Sequence, residues 1–197
     1  MSKYYKAVIL SLAITLFAFA QAPVDLGSSA KEMLIQRDNQ IKSLLGPKGT
    51  QFTDDQRENI KDIINDVIDY EAMARHALQD TWNTITEAQR REFVDVFSTI
   101  VRDQSLNSLD IYRAEVSYES FVVNGNFVTA TTIATLDNVR TPVIYELEKR
   151  DGRWVVIDMS IDNVSTADSY RRSFQNIIRR RGFDALMANL IRRASEA

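Results

Sequence analysis

Asp151-Gly152-Arg153-Trp154-Val155-Val156-Ile157-Asp158-Met159-Ser160-Ile161-Asp162-Asn163-Val164-Ser165 passes from a turn into an apolar strand, rounds a corner and ends on a helix cap, with no linker. Asp-Gly is a strong two-residue hairpin signal because both positions tolerate positive φ. It folds residues 153–161 back on residues 141–150. Upstream, Asn124-Gly125-Asn126 does the same for residues 114–123 and 127–136, and Asp137-Asn138 turns between the two hairpins. The spacing predicts a four-strand antiparallel meander. Alternation along it puts Val143, Tyr145 and Leu147 on one face, with Val155, Ile157, Met159 and Ile161 from the next strand.

Helical patterns flank the meander. Ser29…Glu32, Thr53…Gln56, Thr86…Gln89 and Ser165…Asp168 have the spacing of capping boxes, which mark helix starts. They predict helices over residues 29–45, 53–68, 86–112 and 165–181, with Gly46-Pro47 stopping the first. Asp69 caps a short helix to residue 78, and a last one runs over 183–193 after Gly182. The helix over 86–112 carries Phe93, Phe97, Ile100 and Val101 on one face, continued by Leu109 and Tyr112, with Ser105 and Ser108 beside them. At about 1.5 Å per residue it would be on the order of 40 Å long. Helices, then sheet, then helices describe an α+β domain whose twisted antiparallel sheet is covered by helices.

Lys3 and Lys6 precede an apolar run over residues 7–20 that ends in Ala18-Phe19-Ala20, the layout of a secretory signal peptide. Cleavage after Ala20 or Ala22 leaves residues 21–197 as a single exported domain. The chain has no cysteine, so the core must hold the fold without disulfides. Its net charge of −3 becomes −5 once Lys3 and Lys6 leave with the leader. From Ala167 onward seven arginines face Asp168, Asp184 and Glu196, a local balance of +4. An exported acidic chain does not suit nucleic acid. Its basic end suits anionic headgroups or an acidic partner.

Residues able to do covalent chemistry are sparse. His76 is the only histidine, no Gly-x-Ser-x-Gly elbow accompanies it, and no glycine-rich phosphate loop is present. Asp54-Asp55, Asp66 with Asp69 and Glu71, and Asp158 with Asp162 are the acidic groupings. They sit at helix starts and strand ends, where dipoles and caps explain them. No catalytic residue, metal or cofactor is assigned. What remains is apolar and aromatic surface on the sheet, the long helix and the last helices, where Tyr170, Phe174, Ile177 and Ile178 add to it. Composition leaves two readings of this set open, a packed core and a ligand cavity.

Several stretches succeed each other in a particular order. They are Val67-Ile68-Asp69-Tyr70-Glu71-Ala72-Met73-Ala74-Arg75, then Trp82 with Thr86…Gln89…Glu92-Phe93…Phe97, then Leu109…Tyr112. Pro142-Val143-Ile144-Tyr145, Gly152-Arg153-Trp154-Val155-Val156-Ile157-Asp158 and Val164-Ser165…Tyr170-Arg171…Phe174 come next. Over roughly residues 29–191 this order resembles the MlaC (toluene-tolerance) family. Two positions depart from it: Asn163, where the family more often has glycine, and Ser105, where an aromatic is common. Asparagine adopts the left-handed region more easily than most residues, so the first is mild.

The resemblance implies a cone-like fold, related in shape to nuclear transport factor 2, with an apolar cavity between sheet and helices. It implies a periplasmic phospholipid carrier and not an enzyme. Acyl chains would lie against Phe93, Phe97, Ile100, Leu109 and Tyr112 of the long helix. Val143, Tyr145, Leu147, Ile157, Met159 and Ile161 of the sheet, with Tyr170 and Phe174, would complete the wall, and Arg171 would stand at the headgroup rim. Such a monomer would shuttle lipid between an outer-membrane MlaA-type lipoprotein complex and an inner-membrane MCE-domain protein (MlaD type) of an ABC transporter, serving outer-membrane lipid asymmetry. Two alternatives stay open. One is an exported cone-fold enzyme on a small hydrophobic substrate, which would place His76 or Asp158 inside an apolar pocket. The other is an exported interaction module with a solid core.

Overall fold

Four tight turns fold residues 115–165 into one sheet. The computed structural model describes residues 25–46, 51–106 and 109–196. The leader expected over residues 1–20 lies outside them. Strands β1 (Glu115–Asn124), β2 (Phe127–Leu136), β3 (Val139–Arg150), β4 (Arg153–Ile161) and β5 (Val164–Ser165) pair in that order, each antiparallel to the next. Asp137 and Asn138 have φ of 49° and 65°, as a type I′ hairpin requires, and Asp151 and Gly152 do likewise at 49° and 78°. The expected meander thus gains a fifth, two-residue strand. A further turn at Asp162 (φ 50°) and Asn163 (φ 62°) makes it, so the asparagine adopts the left-handed conformation that a glycine would.

Two bulges decide which side chains face inward. Glu119 is an extra residue between Tyr118 and Ser120 on β1, and Ile157 is extra between Val156 and Asp158 on β4. Each resets the alternation. Trp154 and Val156 therefore share a face with Met159 and Ile161, whereas strict period-two counting places Val155 and Ile157 there. Bulges also bend the strand that carries them. Both halves of each bent strand then present their apolar residues to the same side.

Helices α1 (Leu26–Leu44), α2 (Asp54–Asn65), α3 (Tyr70–Leu78), the single turn α4 (Thr81–Thr84) and α5 (Glu87–Leu106) precede the sheet. A 3-10 helix (Leu109–Arg113) leads into it, and α6 (Thr166–Arg181) and α7 (Phe183–Ser195) come after it. The reciprocal bonds of a capping box are made at Thr53/Gln56 and at Thr86/Gln89. Ser29 does not cap. Asp25 caps α1 one turn earlier, accepting from the Gly27 and Ser28 amides, and Ser29 Oγ instead accepts from Trp154 Nε1 at 3.0 Å. The expected long helix to residue 112 ends at Leu106, and residues 109 and 112 belong to the 3-10 helix.

Burial concentrates in three clusters. One is wholly helical, with Phe93, Phe97, Ile100, Phe174, Leu186 and Leu190 among its members. A second joins Ala30 and Leu34 of α1 to Val128, Ala130, Leu147, Trp154 and Val156 at one end of the sheet. In the third, Ile41 and Leu45 meet Ile60 and Ile64 of α2, with Tyr112 packed against them. Each fully buried side chain of this size contributes about 1.5–3 kcal/mol. The clusters surround the other end of the sheet and do not fill it.

Candidate functional site

The uncovered end of the sheet's inner face is a cavity of about 990 Å³, near the top of the roughly 300–1,000 Å³ range of ligand pockets. Val116 and Tyr118 of β1, Ala134 and Leu136 of β2, Val139, Thr141, Val143 and Tyr145 of β3, and Met159 and Ile161 of β4 make its sheet wall. Their register is consistent: Ala134 pairs Thr141, Tyr145 pairs Met159, and Val143 pairs Ile161. Tyr145 marks the floor, because the next inward residue on β3, Leu147, is 0% exposed under α1.

The opposite wall comes from several helices. On α1, Met33, Leu34, Arg37, Asp38 and Ile41 recur at helical spacing. Ile63 and Ile64 of α2, Met73 of α3, Val101 of α5 and Tyr112 continue the wall, and α6 adds Thr166, Ser169, Tyr170 and Ser173. The sheet end where β2 turns into β3 and β4 into β5 forms the mouth. There the lining residues Ile111, Val139 (65% exposed), Ile161 and Val164 (55%) show apolar surface to solvent.

Of the expected wall residues, Tyr112, Val143, Tyr145, Met159, Ile161 and Tyr170 line this cavity. Phe93, Phe97, Ile100 and Phe174 do not, and are packed in the helical core instead. Phe93 and Phe97 are both 0% exposed and stack with centroids 5.6 Å apart, and Phe174 stands edge-on to each at 5.8 Å. The reason is that α5 packs on α2, α3 and α7, and an apolar stripe specifies burial without naming its partner. Tyr170 joins the two regions: its ring meets Phe97 edge-on at 4.9 Å while it lines the cavity. Leu147 belongs to the core below the floor, and Ile157 is the bulge residue outside the lining. The Leu109 side chain lies outside the described ones, as do those of Ser105 and Ser108. Nothing in the sequence pattern distinguishes the α1 wall from an ordinary buried helix face.

The wall also carries polar groups, among them the Tyr118 and Tyr145 phenols. Burial, then the Asp38 charge, pushes the Tyr118 hydroxyl up to about 12. Tyr145 is raised further by burial and by Tyr112, Tyr118 and Asp38. Both phenols therefore stay neutral donors. Asp38 pairs with Lys42 at 2.7 Å and Arg37 with Asp66. Arg171, expected at the rim, does not line the cavity: its Nε donates to Asp168 Oδ1 at 2.8 Å. That carboxyl is pulled down to about 2 by hydrogen bonds from His76 first and Arg171 second. The arginine that reaches the cavity from the basic C-terminal segment is Arg193.

Neither His76 nor Asp158 lines the cavity. His76 Nε2 meets Asp168 Oδ1 at 2.8 Å on the outside of α3 and α6. Asp158 is used to start α6, with Oδ1 accepting from the Ala167 amide at 3.0 Å and Oδ2 from Ser165 Oγ. Among the described residues no group of three or more His, Asp or Glu side chains could hold a metal ion. The fold thus builds an open, chiefly apolar chamber that neither His76 nor Asp158 enters.

Residues 37–192 match the family described as MlaC protein. The chain belongs to the MlaC family. A solved structure shares the architecture of this MlaC-family chain: the phospholipid-binding protein from Ralstonia solanacearum in complex with a phospholipid. It aligns with a TM-score of 0.73 over 87% of this chain and 98% of that one, at 19% identity. At that identity the likeness is one of fold. No curated protein matches the sequence. Among the described residues of this MlaC-family chain, no helix is long and apolar enough to cross a membrane.

Proposed function

We propose that this MlaC-family protein is a periplasmic phospholipid carrier, holding acyl chains in the cavity with the headgroup at the mouth. The observation that carries the reading is the cavity of about 990 Å³ with an apolar rim, between sheet and helices in a chain of this family. Its walls are chiefly Val, Ile, Leu and Met, and the adaptable Met33, Met73 and Met159 suit chains of varying length and bend. The solved Ralstonia relative in fold, described as bound to a phospholipid, supports the same occupant. A carrier is needed on energetic grounds. At about 0.8 kcal/mol per methylene, exposing two chains of around sixteen carbons to water costs on the order of 25 kcal/mol.

Export by the leader, the Mla-type ABC system, and exchange with MlaA-type and MlaD-type partners belong to the same proposal. The signal-like sequence over residues 1–20 and the family membership support them. The test is extraction. Purified protein is expected to release phospholipid into organic solvent and to appear lipid-loaded by native mass spectrometry. Repeated preparations that hold no lipid and take none from phospholipid vesicles would sink the proposal.

A further inference from the structure

The wall of the cavity is not evenly apolar. Thr166, Ser169, Tyr170 and Ser173 of α6 fall at i, i+3, i+4 and i+7, one stripe of that helix turned to the cavity. Beside this stripe stands Arg193, on the last turn of α7 and exposed to solvent. It is close enough to Tyr170 for its charge to oppose the burial that raises the phenol. The ionised groups of α1 that line the cavity are paired, Arg37 with Asp66 and Asp38 with Lys42. Arg193 has no carboxylate partner among the described residues. A guanidinium with free donors, next to hydroxyls and at the lip of an apolar chamber, matches a phosphate attached to apolar chains.

The Ser169 hydroxyl already donates to the Ser165 carbonyl. We infer that Arg193, with the hydroxyls of Thr166 and Ser173, binds the phosphate of the cargo lipid and thereby selects phosphate-bearing lipids over neutral ones of the same chain length. This rests on the phospholipid-carrier reading. It replaces Arg171, which Asp168 holds, as the headgroup contact.

The test compares uptake of phosphatidylglycerol with uptake of diacylglycerol carrying the same two chains, each offered in vesicles and read by native mass spectrometry. The unmodified protein is expected to prefer the phospholipid by about tenfold. Arg193→Ala should lose that preference while still taking diacylglycerol, which also reports an intact cavity. Arg193→Lys should keep part of it. Arg192→Ala, on the neighbouring exposed position, should keep all of it. If Arg193→Ala retains the preference, or Arg192→Ala loses it equally, the assignment is overturned in favour of diffuse positive charge. Inorganic phosphate should leave the preference intact, and its abolition by phosphate would reassign the site to free anions and overturn the lipid source. Failure of the unmodified protein to take either lipid counts against the carrier reading itself, a separate outcome.

Discussion

Replacing Val143 and Leu147 in turn with glutamate tests, on one strand, whether the chamber is a chamber. Both side chains point inward from β3, four residues apart, and only Val143 lines the cavity. Leu147 is 0% exposed among Val128, Trp154 and Val156. Leu147→Glu forfeits about 1.5–3 kcal/mol of apolar burial and strands a charge at a cost of several kcal/mol more. Together these approach the roughly 5–15 kcal/mol that holds a domain folded. It should not fold.

Val143→Glu places its carboxylate in a space open to water in the unloaded protein, where a surface-like change of about 0.5 kcal/mol is expected. Loading is another matter, because acyl chains would strip that water and force the carboxyl to take up a proton. From a free pKa of about 4.3, protonation at pH 7 costs about 3.7 kcal/mol, close to a 500-fold loss of lipid affinity. The bound-state pKa is raised, so affinity is lost as pH rises above about 4.3 and regained about tenfold per unit on acidification. Melting by circular dichroism reports the fold, and native mass spectrometry after vesicle exchange reports loading at pH 5 and 7. The reasoning is refuted if Val143→Glu melts alongside Leu147→Glu, or if it loads at pH 7 as the parent does.

Asp168 offers a pH test away from the cavity. Its folded pKa is depressed to about 2 by His76 and Arg171, so its stabilising contribution is complete above about 3.9 and is lost as pH falls towards 2. Asp168→Asn should narrow the gap in melting temperature from the parent across that window, and a constant gap would contradict the linkage. Trp154→Phe removes the indole bond to Ser29 Oγ that pins α1 to the sheet. It should lower stability by about 0.5–1.5 kcal/mol in urea titrations, and no change in midpoint would show the bond to be dispensable.

The meander, its turns and the flanking helices were legible because each rests on local chemistry. Asp137-Asn138 and Asp151-Gly152 tolerate the positive φ that their turns need, and Thr53 and Thr86 cap α2 and α5. What stayed hidden depends on partners. Period-two counting assigns Ile157 to the inner face because nothing in the apolar run Val155-Val156-Ile157 signals a bulge; the register with Glu146 and Leu147 creates it. Phe93 and Phe97 announce a buried stripe, but α2, α3 and α7 cover α5, leaving α1 and α6 to face the sheet. Arg171 has the look of a rim residue, yet Asp168, three positions earlier, claims its guanidinium. Tyr145 and Met159 pair beyond the Ile157 bulge, and they were legible because period-two alternation with Val143 and Ile161 on the same side of it places them on the inner face.

A chamber of this size raises a question of its own stability. At about 24 cal/mol per Å³, a dry apolar void of about 990 Å³ would cost on the order of 24 kcal/mol, more than a whole domain possesses. The unloaded protein must therefore be wet, and the open mouth admits the water. Water needs hydrogen-bonding partners, and the phenols of Tyr118 and Tyr145 supply two, since neither bonds to a described protein group. Acyl chains offer those hydroxyls nothing in exchange, so each phenol favours the wet state and helps release. The double variant Tyr118→Phe, Tyr145→Phe should then hold its cargo more tightly, by about 1 kcal/mol per hydroxyl or roughly fivefold each. Its unloaded form should melt earlier. Transfer of a fluorescent phospholipid from the loaded protein to excess vesicles measures the first effect, and calorimetry of delipidated protein the second. Faster transfer in the variant would mean that the phenols grip the lipid's ester oxygens, and the wetting argument would fall.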